Sequence, residues 1–262
     1  MWNYIDNITN IYGKNIVFIS GLFFLHIVTY WIISLIFISI DIIKPSFLYK
    51  YKIQNNINNY ITFNNILKCS YQVLINQLIS IFIIIIYSNI LSYRNFNTSF
   101  DTLPNIYTCI LNFIVFLIFE EIGFYYMHRF SHYKYIYKYI HKQHHEYVTP
   151  IALSAIYCHP LEHIFVNIAP LFIGPLIMNS HLILIWSWIF IATVNTLYSH
   201  CGYHFPLTLS NEVHDYHHLY FNECYGILGI LDNIHKTNTN YYKSKQYKRD
   251  KIYKINEYYP II

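Results

Sequence analysis

Ten of the chain's 15 histidines fall in four short clusters whose spacing is typical of metal ligands. Residues i, i+3 and i+4 of a helix share one face, with Cβ atoms about 5–6 Å apart. Two imidazoles of such a set can bind one metal ion while the third reaches a neighbouring ion. The clusters are His128 and His132; His141, His144 and His145; His200 and His204; and His214, His217 and His218.

The number and pattern of these histidines favour two metal ions over a chance arrangement. At this histidine content one HxxHH pattern is expected roughly 0.05 times by accident, and the chain has two, each preceded by HxxxH. Imidazole suits Zn, Fe, Cu and Ni, but ten ligands exceed what one tetrahedral zinc uses. We therefore predict a di-iron site with oxygen chemistry. Nearby candidates for orienting the ligands or lining the site are Glu120, Glu121, Glu146, Glu162, Asp215 and His159.

The composition places these histidines in a membrane protein. Hydrophobic residues make up 55% of the chain and charged residues only 11%, against roughly 25% charged residues in soluble domains. The formal net charge is +4, and the basic residues form no domain-wide basic face of the kind that binds nucleic acid. A lipid surface or an acidic redox protein is the expected partner.

Five apolar runs precede or separate the histidine clusters, and their helices are expected to bring the clusters together. Runs 16–40, 73–91 and 106–127 are long enough to cross a bilayer. Runs 164–178 and 182–198 flank a polar turn, and the first is short for a full crossing, so they predict a hairpin that dips into the membrane and returns. The expected fold is an all-α integral membrane bundle of about three transmembrane helices plus this hairpin. A histidine-rich helical cap would hold the two metals.

Charges in the loops orient this bundle. The loop 42–70 carries four lysines and no acid, whereas residues 93–105 carry only Arg94 and Asp101. The positive-inside rule makes the first loop cytosolic, and all four histidine clusters then lie on the cytosolic face. The domains expected are an N-terminal membrane anchor (1–105), a catalytic domain (106–240) and a basic polar tail (241–262).

The clusters and the residues between them resemble the fatty acid hydroxylase superfamily of membrane di-iron oxygenases. The superfamily signature is the ordered set 128–132, 141–145 and 214–218. HHEYVTP at 144–150, AIYCHPLE at 155–162 and HCGYHFP at 200–206 resemble the C4-methylsterol monooxygenases more closely. Two departures are His204, where that branch usually has Asp, and Lys236, which replaces the glycine of the closing motif at 232–238.

The resemblance implies an enzyme of the endoplasmic reticulum that uses two iron ions and O₂ to oxidise the 4-methyl group of a sterol. It also implies electrons from NAD(P)H through cytochrome b5 or a reductase, since the chain has no Rossmann or haem motif of its own. Alternatives with the same site are a sterol C5-desaturase and a fatty-acyl or sphingolipid hydroxylase. A metal transporter would need histidines inside the membrane runs, and an inactive metal-bound scaffold also stays open.

Overall fold

The computed structural model describes residues 2–54, 61–100, 102–206, 208 and 210–253, and the regular structure in these ranges is helical. The main helices are α1 (Trp2–Tyr12), α2 (Lys14–Ile43), α3 (Phe63–Tyr93), α4 (Ile106–Ser131), α5 (Pro160–Met178), α6 (Leu182–Ser199), α7 (Glu212–Tyr220), α8 (Ile230–His235) and α9 (Lys245–Tyr253). Shorter helices cover Ser46–Tyr49, Lys134–Tyr137, His144–Glu146, Ala152–Ile156 and Tyr241–Lys243.

Helices α2 to α6 have the length and the apolar composition to cross a membrane, which confirms the prediction of an all-α membrane protein. Several of them extend beyond the apolar runs. Helix α3 begins at Phe63 because the Thr62 hydroxyl accepts a hydrogen bond from the backbone N–H of Asn65 (3.3 Å). A polar residue further along this helix is used inside the protein: the buried Asn76 amide donates to the carbonyls of Ile156 (2.8 Å) and Cys158 (2.9 Å).

The predicted hairpin consists of α5 and α6, and its first arm is longer than the apolar run. Helix α5 starts at Pro160 and includes a π-helical segment, His163–Ile168. The polar turn of the hairpin reaches the loop between α3 and α4: Asn179 donates to the Arg94 carbonyl (3.1 Å), and the backbone N–H of Leu182 donates to the Asn97 carbonyl (3.0 Å). The hairpin turn therefore lies at the same end of the bundle as the loop between α3 and α4.

Helices α4 and α5 pack with their backbones close together. A Cβ at Gly174 would lie 2.8 Å from the Cα of Phe116, and one at Gly123 would lie 2.9 Å from the Pro170 ring. Only glycine allows both approaches. The close packing fixes the C-terminal end of α4, which carries His128 and His132, against the start of α5.

All four histidine clusters lie at the end of the bundle opposite the hairpin turn. The first cluster lies at the C-terminal end of α4, the second precedes α5, the third follows α6 and the fourth lies in α7. Loop residues stabilise this end: Lys52 forms a buried ion pair with Asp41 (2.5 Å), and the Tyr203 hydroxyl donates to the same carboxylate (2.6 Å). The segment that carries Ala152–Ile156 is held by the Tyr30 hydroxyl, which donates to the Leu153 carbonyl (2.8 Å).

Candidate metal centre

The first group of potential ligands contains five imidazoles whose ligand atoms all lie within 4.8 Å of one another. The Nε2 atoms of His141 and His145 are 3.0 Å apart, and those of His128 and His141 are 3.2 Å apart. Ligand nitrogens about 2.0–2.1 Å from one ion lie about 3 Å from each other, so these separations fit a shared metal. The members of this five-histidine group are His128, His132, His141, His145 and His217.

The second group contains four imidazoles with the same geometry. The Nε2 atom of His214 lies 2.9 Å from that of His200 and 3.1 Å from that of His218. The two groups are adjacent, because the ring centroids of His144 in the second and His145 in the first are 5.6 Å apart. The members of this four-histidine group are His144, His200, His214 and His218.

Each HxxHH cluster divides its histidines between the two groups. His141 and His145, four residues apart, belong to the five-histidine group, whereas His144 points its Nε2 into the other. In α7 the assignment is reversed, since His214 and His218 belong to the four-histidine group and His217 to the first. In both clusters the i, i+4 pair lies in one group and the residue between them in its neighbour, a division into two and one of the kind that the spacing predicts for a continuous helix such as α7.

Backbone carbonyls fix the orientation of the imidazoles. The Nδ1 atom of His128 lies 2.8 Å from the Tyr225 carbonyl, and that of His217 lies 2.7 Å from the Glu223 carbonyl. His200 makes the same contact with the carbonyl of Thr196 (2.8 Å). Because a carbonyl only accepts, each Nδ1 carries the proton and each Nε2 keeps a free lone pair. The residues therefore fit a pair of metal ions.

Burial keeps these imidazoles neutral. Desolvation lowers the pKa of His144 well below its usual value, and the neighbouring His200 lowers it further. The pKa values of His217 and His218 are lowered for the same reason, burial among other imidazoles. Neutral imidazole is the form that binds a metal, so the site needs no deprotonation at neutral pH.

Comparison with known proteins assigns the family. A family model described as fatty acid hydroxylase matches residues 113–237. The human protein "Fatty acid hydroxylase domain-containing protein 2" is 37% identical over 246 residues, which cover 92% of this chain and 73% of that protein. This chain belongs to the fatty acid hydroxylase family. It is an oxidoreductase of the monooxygenase type and a multi-pass membrane protein.

Other relatives of this family member carry names from lipid oxidation. "Methylsterol monooxygenase 2-2" of Arabidopsis thaliana is 32% identical over 207 residues, covering 76% of this chain and 75% of that protein. A "very-long-chain aldehyde decarbonylase" of Oryza sativa subsp. indica is 36% identical over 141 residues, covering 49% and 52%. No solved structure matches. The resemblance to the superfamily and to its methylsterol monooxygenases is confirmed, and iron and O₂ are the family's metal and oxidant.

Two acidic residues hold the loop that carries the Glu223 and Tyr225 carbonyls. The sequence did not predict this role. The buried Glu121 carboxylate accepts hydrogen bonds from the backbone N–H groups of Leu228 (2.8 Å) and Leu231 (3.0 Å). The Asp232 carboxylate accepts from the backbone N–H groups of Tyr225 (2.9 Å) and Gly226 (2.7 Å). The closing motif of the family at 232–238 was the available signal, because it contains this Asp.

The candidate orienting residues occupy different positions in this hydroxylase-family structure. The buried Glu162 lies beside the five-histidine group, with its Oε1 2.8 Å from the Nδ1 of His141. The buried Asp215 accepts from Gln54 (2.9 Å), and burial, together with the nearby Glu212 carboxylate, raises its pKa to about 7. Glu146 pairs at the surface with Lys68, and His159 caps the first turn of α5. Only Glu162 of these contacts a candidate ligand directly through its side chain.

The structure does not bring His204 into either histidine group. Helix α6 ends at Ser199 and Gly202 has a φ of +73°, so residues 200–204 share no helical face. The Nδ1 of His204 lies 3.2 Å from the Glu212 Oε1, and both side chains are buried. Because the shared face of an HxxxH pair needs a continuous helix, helical spacing does not bring His204 to the group that contains His200, and its role as a ligand stays a prediction.

Replacing Glu162 with Gln is expected to weaken metal binding about 10–100-fold, since partners that orient ligand imidazoles have effects of this size. The amide keeps the shape but removes the carboxyl group beside the Nδ1 of His141. Iron retention against a graded chelator measures the effect. Glu146→Gln, which changes a surface-exposed ion pair, is the matched control. Equal retention in both variants would contradict a role for Glu162.

Proposed function

We propose that this family member oxidises an unactivated C–H bond of a sterol, most specifically the 4-methyl group, at two iron ions. The observation that carries the proposal is the convergence of nine Nε2 atoms in two adjacent groups. The sterol assignment is supported by the methylsterol monooxygenase relative, which matches 76% of the chain. The runs HHEYVTP and AIYCHPLE are also similar to that branch.

The protein's own residues prepare the site for this reaction. The iron pair, when bound, supplies the O₂ chemistry that breaks a C–H bond. Neutral imidazoles hold the ions, the carbonyls of Tyr225 and Glu223 orient two of these imidazoles, and burial excludes bulk water. In the balanced reaction one oxygen atom enters the C–H bond as hydroxyl and the other leaves as water, which consumes two electrons and two protons.

The electrons must come from another protein or domain. We propose NAD(P)H as the source, through cytochrome b5 or a reductase, because the chain carries no Rossmann or haem motif. A basic surface lies beside the histidine groups and is suited to an acidic donor. Its exposed residues are Lys134, Lys138 and Lys142.

We further propose that the protein lies in the endoplasmic reticulum membrane with both histidine groups facing the cytosol. Cysteines introduced at Lys142 and Ser210 should then react with an impermeant reagent from the cytosolic side, and one at Thr98 only after the membrane is opened. The physical reason is the positive charge of the lysine-rich loop 42–70, of which Lys52 and Gln54 lie at the same end as the clusters. Labelling of positions 142 and 210 from opposite sides would contradict this topology.

Sterol profiling tests the proposed activity. Cells that lack the protein should accumulate 4-methylsterols, and expression of the chain should remove them. A His217→Ala variant, expressed at the same level, is the control for loss of chemistry without loss of protein. Unchanged sterols together with a deficit of hydroxylated fatty-acyl or sphingolipid species would replace the sterol with an acyl substrate at the same metal site.

A further inference from the structure

A pocket of about 500 Å³ opens beside the five-histidine group at the C-terminal end of α4. Its volume falls within the range of small-molecule sites, about 300–1,000 Å³. One wall is His132, whose Nε2 lies 3.2 Å from that of His217. The pocket therefore leads from the protein surface to the candidate metal ligands. Its lining residues are Tyr126, Arg129, Phe130, His132, Tyr133 and Tyr225.

The mouth of the pocket is aromatic and exposed. Tyr126, Phe130 and Tyr133 have 48%, 57% and 57% of their surface accessible. They follow directly on the apolar stretch of a helix that can span the membrane, and aromatic side chains at such positions are typical of the membrane–water interface. An occupant of this pocket would therefore arrive from the bilayer, which points to a lipid.

Two hydrogen-bond donors line the same pocket. The Arg129 guanidinium donates to the Tyr125 hydroxyl (3.1 Å). Within the described part of the chain, no carboxylate oxygen lies within 4.0 Å of it. Guanidinium groups have several donors in one plane, so further donors stay available for an oxygen-bearing group. The second donor is Tyr225, which is 8% exposed and whose ring lies 5.1 Å from that of His132.

We propose that this pocket binds the oxygen-bearing end of a membrane lipid, held by hydrogen bonds from Arg129 and Tyr225. Because both donors share the pocket with His132, the lipid presents the carbons next to its polar group to the metal site. The inference rests on the proposed function for the chemistry. It adds a substrate orientation: oxidation occurs close to a hydroxyl or carboxylate and not in the middle of an acyl chain.

Binding of two fluorescent lipids to the purified, iron-loaded full chain tests the proposal. Parinaric acid presents a carboxylate and dehydroergosterol presents a hydroxyl; the methyl ester of the first removes the charge, and the 3-deoxy analogue of the second removes the hydroxyl. Each parent lipid that binds should have a lower Kd than its analogue. Arg129→Met should raise the Kd of the parent lipid roughly tenfold, as expected for loss of a hydrogen bond to a charged group.

Two variants serve as controls. Tyr225→Phe keeps the ring against His132 and removes only the hydroxyl, so it should raise the Kd severalfold and leave the iron content unchanged. This variant tests the pocket independently if Arg129→Met folds poorly. Lys248→Met removes the same charge from an exposed position in α9, outside the pocket, and binding should not change.

The outcomes separate this proposal from the proposed function. Wild-type affinity for both lipids in Arg129→Met and Tyr225→Phe would overturn the pocket assignment, even if sterol profiling supported the proposed function. Oxidation of an acyl lipid at a mid-chain carbon would also overturn it. Binding of parinaric acid that depends on Arg129, without binding of dehydroergosterol, would support the pocket and remove the sterol as substrate. Binding of dehydroergosterol that depends on both residues would support the pocket and the sterol together.

Discussion

Replacing His145 or His217 with Ala is expected to reduce oxidation to background, a loss of more than about a hundredfold. Changes to outer partners of ligand imidazoles already cost about 10–100-fold, and these two histidines belong to the five-histidine group itself. Each substitution removes a buried nitrogen and leaves a cavity next to the metal. Iron content should fall from close to two ions per chain to about one or less, measured in anaerobically purified protein.

The four-histidine group should respond in the same way to His144→Ala and His218→Ala. His26→Gln is the matched control, because His26 lies in α2, away from both groups, and its Nδ1 is 3.1 Å from the Thr193 hydroxyl. It should retain both iron ions and most of the activity. Full iron content and activity in His144→Ala and in His217→Ala would refute the assignment of both groups.

The second large effect is expected from Arg249→Met, in the C-terminal helix α9. The Arg249 guanidinium contacts both carboxylate oxygens of Glu212, the first residue of α7, and its Nη1 donates to the Ile53 carbonyl (3.1 Å). Both side chains are buried, at 8% and 0% exposure. Removing one member of a buried pair leaves an uncompensated charge and costs about 3–5 kcal/mol.

This loss should lower the thermal unfolding midpoint and destabilise α7, which carries three of the nine histidines. Lys248→Met, a neighbouring exposed position, is the control and should leave the midpoint unchanged. The double variant Arg249→Met with Glu212→Gln should recover part of the loss, since it also removes the buried carboxylate. An Arg249→Met protein as stable as Lys248→Met would show that the pair contributes nothing.

A His204 variant tests two different roles for this residue. The sequence predicts a metal ligand, whereas the structure shows a contact with Glu212. The Nδ1 of His204 faces the Glu212 carboxylate, so His204→Ala should retain close to two iron ions and lower the unfolding midpoint. A loss of about one ion would instead make His204 a ligand, as its HxxxH spacing predicts. Iron content, measured together with thermal stability, separates the two roles.

Much of this architecture could be predicted because it depends on local periodicity. Apolar runs long enough to cross a bilayer indicate helices whatever their neighbours are. The i, i+3, i+4 spacing in α7 likewise predicts that two of its imidazoles share one group while the third reaches a neighbouring one, and the structure shows that His214 and His218 are the pair. The composition also indicated the membrane, since a chain with 55% hydrophobic and only 11% charged residues suits a bilayer whichever of its residues contact each other.

Contacts between distant segments could not be predicted in this way. The acceptors that orient His128 and His217 are backbone carbonyls of Tyr225 and Glu223, and every residue has a carbonyl, so residue type carries no signal. The extension of α5 back to Pro160 was missed because its first turns contain polar side chains that are satisfied inside the bundle, as by the His163–Ser80 contact (2.8 Å).

The sequence by itself determined the helical class, the membrane location, the histidines that could bind metal and the division of each HxxHH cluster into two imidazoles and one. The tertiary structure alone decided which pairs meet, that His200 joins a group while His204 faces Glu212, and that the basic tail anchors α7 through Arg249. The physical reason is the range of the interactions. Helical spacing is set by backbone geometry within a turn, whereas the end of α6 and the position of α9 depend on packing between segments far apart in the chain.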